Sequence, residues 1–291
     1  MAGGAAARRV GVVTGASGGI GRWIARGLAD AGFHVVLVGR DAGRTTAAAG
    51  WIARANPAAS LEVAVTDLLL LDQVAKLAAR VGEQHQAVHV LVNNAGMFSA
   101  RRRETSEGHE QVIALNHLSP FVLTGGLLPS LRAAGAARIV NVGSDTSDRA
   151  RIDPADLEGR RRWGFVHAYG QSKLALMMAS FGWARRLAGT GVVANVVHPG
   201  AVATGLVRAH GPIGLAWRAM APFLLSEQQG ADTPLHVALS DEYRTITGAY
   251  VKRRLPVAPN PRALDPVLEK AVWDATEVLI ASAGQAGSSA G

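Results

Sequence analysis

At 291 residues and 30.2 kDa, with 48% hydrophobic and 18% charged residues, the chain is long enough for one large α/β domain or two small ones and too apolar to be disordered. It contains no Cys, which excludes a disulfide framework, a thiolate nucleophile and Cys-ligated zinc or iron–sulfur clusters. The formal charge of +8 comes from 30 Lys+Arg against 22 Asp+Glu, and only four of the 30 are Lys (76, 173, 252 and 270), so the surplus reads as an Arg-rich composition more than as a nucleic-acid signal.

Val10 to Thr14 is a β-branched run that predicts a first strand, Gly15 to Gly21 a glycine-rich turn, and Arg22 to Ala31 a helix with Trp23, Ile24, Gly27 and Leu28 facing inward. Gly32 closes that helix and Val35 to Val38 predicts the second strand. Further strands are predicted over Leu61 to Val65, Val88 to Val92, Arg138 to Val142 and Val192 to Val197, with a last one at Val251. Helices fall between them: one after Glu110 toward Gly125, the longest over Ala168 to Arg186, and a terminal amphipathic helix over Asp265 to Ala281. Continuously apolar strands are buried on both faces, as in a parallel sheet. The expectation is a single-domain α/β protein with a doubly wound parallel sheet flanked by helices, a Rossmann fold. Residues 1–8 form a lead, 9–283 the domain and 284–291 a mobile tail. Two stretches break the rhythm. Asp145 to Trp163, dense in Asp and Arg, reads as an insertion at the surface or a pocket rim; 205–226, which includes Trp217 and Met220, reads as core helix or a substrate lid.

The glycine turn runs Thr14, Gly15, Ala16, Ser17, Gly18, Gly19, Ile20, Gly21 between a strand and a helix. Glycines there let the backbone approach a pyrophosphate, and the helix N-terminus supplies N–H donors. At the end of the second strand, where an acidic residue would hydrogen-bond a ribose 2′-hydroxyl, stand Gly39 and Arg40; a guanidinium favours NADP(H) over NAD(H), with Arg44 as a second candidate. Tyr169 and Lys173 are one helical turn apart, on one face. A Tyr with an ordinary pKa of about 10 exchanges protons at neutral pH only if a neighbour such as a cation stabilises its phenolate. Ser144, just past a strand, can hold a substrate carbonyl beside it.

This ordered set resembles the classical short-chain dehydrogenase/reductase family over roughly residues 9–248. It comprises Thr14-Gly15-x-x-x-Gly19-x-Gly21, Asp67, Asn93-Asn94-Ala95-Gly96, Asn116, Ser144, Tyr169-x-x-x-Lys173 and Pro199-Gly200-x-Val202-x-Thr204. Within the family it is similar to the retinol dehydrogenase-like branch, through Asn116-His117-Leu118-x-Pro120-Phe121, Val197-His198-Pro199-Gly200, Gln229-Gly230-Ala231 and the 25-residue interval from Ser144 to Tyr169. Gly143 departs from the pattern, standing where the family often has Ser, and no membrane anchor precedes the first strand.

The resemblance implies Tyr169 as acid/base, Lys173 lowering its pKa and holding ribose hydroxyls, Ser144 orienting the carbonyl and Asn116 supporting a water. It implies cofactor contacts from the glycine turn, Asp67, Leu68, Asn93, Ala95, Gly96, Pro199, Gly200, Val202 and Thr204. Met97, Phe98, Phe165, Trp217 and Met220 are expected to line an apolar substrate pocket. The expected protein is a soluble, cytoplasmic NADPH-dependent reductase of a ketone or aldehyde, a homodimer or homotetramer, with no metal and no nucleic-acid partner. Substrate classes compatible with the pocket are an aromatic polyketide-like natural product, a retinoid and a steroid; a catalytically silent NADP(H)-binding regulator is the alternative.

Overall fold

The computed structural model describes residues 8–202 and 224–288, with side chains described as far as Ser282. Thr204, Trp217 and Met220, most of the 205–226 segment and residues 289–291 lie outside the described residues. The strands are β1 (Val10–Thr14), β2 (His34–Gly39), β3 (Ser60–Val65), β4 (Val90–Asn93), β5 (Ala137–Val142), β6 (Val192–His198), β7 (Tyr250–Lys252) and β8 (Leu255–Val257). They form one sheet in the order β3-β2-β1-β4-β5-β6-β7-β8, parallel from β3 to β7 and closed by the antiparallel β8.

Adjacent strand residues explain the layering. Val12, Val36 and Leu91 face one core, while Val13, Leu37 and Val92 face another, so both sides of the sheet are buried. On the second side lie α1 (Gly19–Asp30), α2 (Ala42–Ala55) and α6 (Glu227–Leu239), contributing Ile24, Leu28, Ile52 and Val237. On the first lie α3 (Leu71–Gln84), α4 (Gln111–Ala133), α5 (Phe165–Arg186) and α7 (Pro266–Ser288), contributing Leu77, Leu127, Trp183 and Trp273. Each fully buried Val or Leu stabilises the fold by roughly 1.5–3 kcal/mol relative to exposure. The strand order reverses between β1 and β4, which opens a crevice at the C-terminal strand ends.

Several expectations are corrected. Helix α1 starts at Gly19, so the last glycines of the turn belong to its first turn. Helix α4 passes through Gly125 and Gly126 to Ala133; the glycine at 126 answers to packing, because a Cβ there would sit 2.6 Å from the Ala78 Cβ of α3. It is the one described helix long and apolar enough to cross a membrane, yet 67% of its most apolar window is buried inside the fold. Strand β8 has no counterpart in the sequence reading, and α7 continues helically to Ser288, over much of the stretch read as a tail.

Candidate active site

The glycine turn leaves β1 at its C-terminal end. Gly15 (φ +67°) and Gly19 (φ +58°) adopt left-handed backbone, and a Cβ on Gly21 would lie 2.3 Å from the Gly15 carbonyl oxygen. The loop is lashed to the one after β4. Thr14 Oγ1 accepts the Asn94 and Ala95 N–H groups at 2.9 and 3.0 Å, and Asn94 Nδ2 donates to the Thr14 carbonyl at 2.9 Å. Asn93 turns into the sheet, donating to Asn141 Oδ1 at 2.8 Å. The side chains of Thr14 and Asn93, expected at the cofactor, are therefore buried in the frame that aligns the two loops, and Asn94, from the same Asn93–Gly96 motif, is part of that frame.

At the end of β2 a Cβ on Gly39 would meet Thr45 Oγ1 at 2.3 Å, so no acidic side chain fits where one would select NAD(H). Arg40 is exposed and makes no hydrogen bond or ion pair among the described residues. Arg44 Nη2 comes within 3.6 Å of the place a Gly18 Cβ would occupy, which brings its guanidinium over the glycine turn. Asp67 holds its own turn by accepting Leu69 N–H at 3.1 Å, and Leu68 is buried beside it.

Tyr169, Lys173, Ser144 and Asn116 come together at the C-terminal ends of β4 and β5. Lys173 is almost fully buried, and its Nζ donates to the Val142 carbonyl at 2.8 Å. Burial lowers its pKa to about 8. A Cβ on Gly96 would lie 3.3 Å from both Lys173 Nζ and Asn116 Oδ1, so Gly96 keeps that corner open. Asn116 sits in a π-helical turn of α4, Ala114–Leu118, of the kind that recurs at functional sites. Its Oδ1 accepts Met97 N–H at 2.8 Å, and its Nδ2 donates to the Met97 carbonyl and to Ser172 Oγ, each at 2.9 Å. Ser172 Oγ in turn donates to the Tyr169 carbonyl at 2.8 Å. Asn116 thus pins the loop after β4 to the helix that carries Tyr169.

Burial pushes the Tyr169 phenol up; the neighbouring Ser144 hydroxyl opposes this and the Asp145 carboxylate reinforces it. Ser144 Oγ donates to Asp145 Oδ1 at 3.3 Å. Gly143 is required by packing, because a Cβ there would stand 2.7 Å from Val196 Cγ1. His198, lowered by burial, faces Asp145 at 3.9 Å. Gly200 (φ +88°) has no room for a Cβ beside Leu225, Val202 is bridged to Leu225, and Pro199 leads in from β6.

Phe98 packs edge-on against both Phe165 and Tyr169, with ring centroids 5.7 and 5.6 Å apart, and Phe165 is 44% exposed. Phe98 and Phe165 therefore stand as an aromatic pair against the Tyr169 ring, and Met97 is held by its backbone to Asn116. The 145–163 insertion is firmly anchored: Asn260 Nδ2 donates to the Ser147 and Ala150 carbonyls, and Gln171 Nε2 to those of Asp156 and Leu157. Arg102 and Arg160 stitch two loops together through Glu158 and Glu104.

The arrangement can place an oxygen atom between a phenol and a Ser hydroxyl, with a buried ammonium one turn away. Among the described residues Lys173 uses one of its three N–H donors, and no side chain caps the N-terminus of α1 at the glycine turn, which suits the ribose and pyrophosphate of a dinucleotide.

A profile of the short chain dehydrogenase family matches residues 9–212. The chain belongs to that family of oxidoreductases, whose members use a nicotinamide cofactor. It is 34% identical to mouse retinol dehydrogenase 12 over 94% of its own length and 86% of that protein, and 36% identical to mouse polyprenol dehydrogenase, covering 91% and 82%. Among solved structures it resembles an uncharacterised protein from Mycobacterium paratuberculosis (32% identity, TM-score 0.75, covering 94% and 93% of the two chains). It also resembles Pseudomonas aeruginosa RhlG in its NADP active-site complex (29% identity, TM-score 0.68, 84% and 94%).

Proposed function

We propose that the protein is an NADP(H)-dependent oxidoreductase that interconverts an apolar alcohol and its aldehyde or ketone, with Tyr169 as the proton-transferring residue. The observation that carries this reading is the meeting of Tyr169, Ser144 and Lys173 beside an aromatic pair at the mouth of the glycine turn. The bound nicotinamide would supply or accept the hydride. In reduction Tyr169 hands its phenolic proton to the developing alkoxide while Ser144 holds that oxygen, and Lys173 stabilises the phenolate left behind. In alcohol oxidation the same groups act in reverse. The glycine turn and Lys173 hold the dinucleotide, and Arg40 and Arg44 meet the 2′-phosphate, for which the space denied to an acidic residue at Gly39 is further support.

The names of two relatives, retinol dehydrogenase and polyprenol dehydrogenase, support an apolar alcohol as substrate. The aromatic pair Phe98 and Phe165 is equally suited to an aromatic polyketide-like ketone. The test is titration with NADPH and NADH, then a carbonyl screen containing retinaldehyde, a polyprenal and aromatic ketones. Tighter NADPH binding with turnover of one apolar class is expected; equal affinities would remove the roles of Arg40 and Arg44. Cofactor binding without turnover of any carbonyl would favour the silent regulator.

A further inference from the structure

At the opposite end of the sheet from the glycine turn, His34 opens β2, Glu62 lies on β3, and His85 caps the C-terminus of α3. The parallel register sets His34 beside Ser60, and Glu62 follows two residues on, on the same face of β3. His34 Nε2 lies 3.4 Å and His85 Nε2 2.9 Å from the same oxygen, Glu62 Oε2, and the three ligand atoms lie within 4.8 Å of one another. All three residues are half-buried, and the two rings lie 5.0 Å apart between centroids.

We infer that His34, Glu62 and His85 form a binding site for a divalent transition-metal ion of the zinc type. Two imidazole nitrogens and one carboxylate oxygen are the donor set that such borderline ions take. Tetrahedral zinc with bonds of about 2.0–2.2 Å places its ligand atoms roughly 3.3–3.6 Å apart; the His34 to Glu62 separation of 3.4 Å meets this, and the His85 to Glu62 separation of 2.9 Å has to widen as the ion enters. His34 Nδ1 sits 2.8 Å from Ser60 Oγ. In the tautomer that binds the ion, Nδ1–H donates to that hydroxyl and leaves the Nε2 lone pair for the metal, the outer hydrogen bond that fixes a ligating imidazole. Without a cation the ring takes the other tautomer, with Nε2–H facing Glu62 and Nδ1 accepting from Ser60. The fourth position, open to solvent, takes a water. Because the site joins β2, β3 and α3, the bound ion holds the folded state and not the unfolded chain.

The test uses the tag-free full chain, stripped with chelator and loaded with zinc chloride. One equivalent of Zn²⁺ retained through desalting and a melting temperature raised by several degrees are expected. Glu62→Gln and His85→Gln should each reduce retention to background while their metal-free melts stay near that of the wild type. As a second measurement, Co²⁺ in the wild type should develop the intense visible absorption of a tetrahedral nitrogen- and oxygen-ligated ion. Substoichiometric retention in the wild type, an octahedral Co²⁺ spectrum, or retention unchanged by a His34→Gln/His85→Gln double variant would overturn the assignment.

Discussion

Burial acts on Tyr169 and Lys173 in opposite directions, raising the phenol and lowering the ammonium to about 8, so each is drawn toward its neutral form. At neutral pH the phenol keeps its proton, ready for donation, and Lys173 keeps its charge. Asp145 adds to the upward push on Tyr169 and also takes the Ser144 hydroxyl as a donor. Removing that charge favours phenolate. Asp145→Asn is therefore expected to move the lower limb of the pH profile for alcohol oxidation toward lower pH, read as kcat/KM against pH. A limb that stays in place would show that Asp145 does not reach the phenol electrostatically. Tyr169, Lys173 and Ser144 were legible in the sequence because their chemistry is local and ordered along the chain. The buried roles of Thr14 and Asn93 were not, because their orientation depends on how β1, β4 and β5 meet.

At the level of elements, the hairpin between β7 and β8 shows where turn signals fail. Its two-residue loop is Arg253 and Arg254, both with positive φ (48° and 67°), in place of the Asn-Gly or Asp-Gly such a turn favours. The surroundings impose it: Tyr243 Oη donates to the Arg254 carbonyl at 2.9 Å, and Arg254 pairs with Asp232. Arg253 has no such tether among the described residues, so Arg253→Gly should relieve left-handed strain and stabilise the protein by up to about 1 kcal/mol in chemical denaturation. A loss of stability would mean that the Arg253 side chain holds the hairpin. The π-turn of α4 was equally hidden, since no residue pattern distinguishes it from the surrounding helix, although the Asn116 it carries was found. The His34, Glu62 and His85 cluster escaped for a related reason: its members are far apart in sequence and meet only through the β2 to β3 register and the end of α3.

For the whole molecule, His117 links the π-turn to the C-terminal helix. It is fully buried, its Nε2 lies 2.7 Å from Thr276 Oγ1, and Thr276 Oγ1 donates to the Val272 carbonyl at 2.7 Å. The hydroxyl proton is thus committed to Val272, and His117 Nε2 is the donor to Thr276, as a neutral ring. Desolvation lowers the His117 pKa from 6.5 to about 3. The unfolded chain takes up a proton below about 6.5 and the folded one does not, so stability is level above that pH and falls as pH decreases through it. The loss should reach about 2 kcal/mol by about pH 5, at roughly 1.4 kcal/mol per unit. His117→Asn should lower stability at every pH through lost packing but flatten this slope in urea melts. An unchanged slope would place the titration elsewhere. The doubly wound layering itself was readable from strand apolarity, and the resulting crevice at the β1 to β4 reversal is where the candidate active site lies.

If Tyr169 transfers the proton in a carbonyl and alcohol interconversion, the phenolic oxygen is indispensable to turnover and dispensable for cofactor binding. Single-turnover oxidation of NADPH with the best carbonyl from the screen, compared between wild type and Tyr169→Phe alongside NADPH binding by fluorescence, tests it most directly. A rate loss of roughly 10²–10⁴-fold in Tyr169→Phe with NADPH affinity retained is expected. A variant that turns over at the wild-type rate would contradict it.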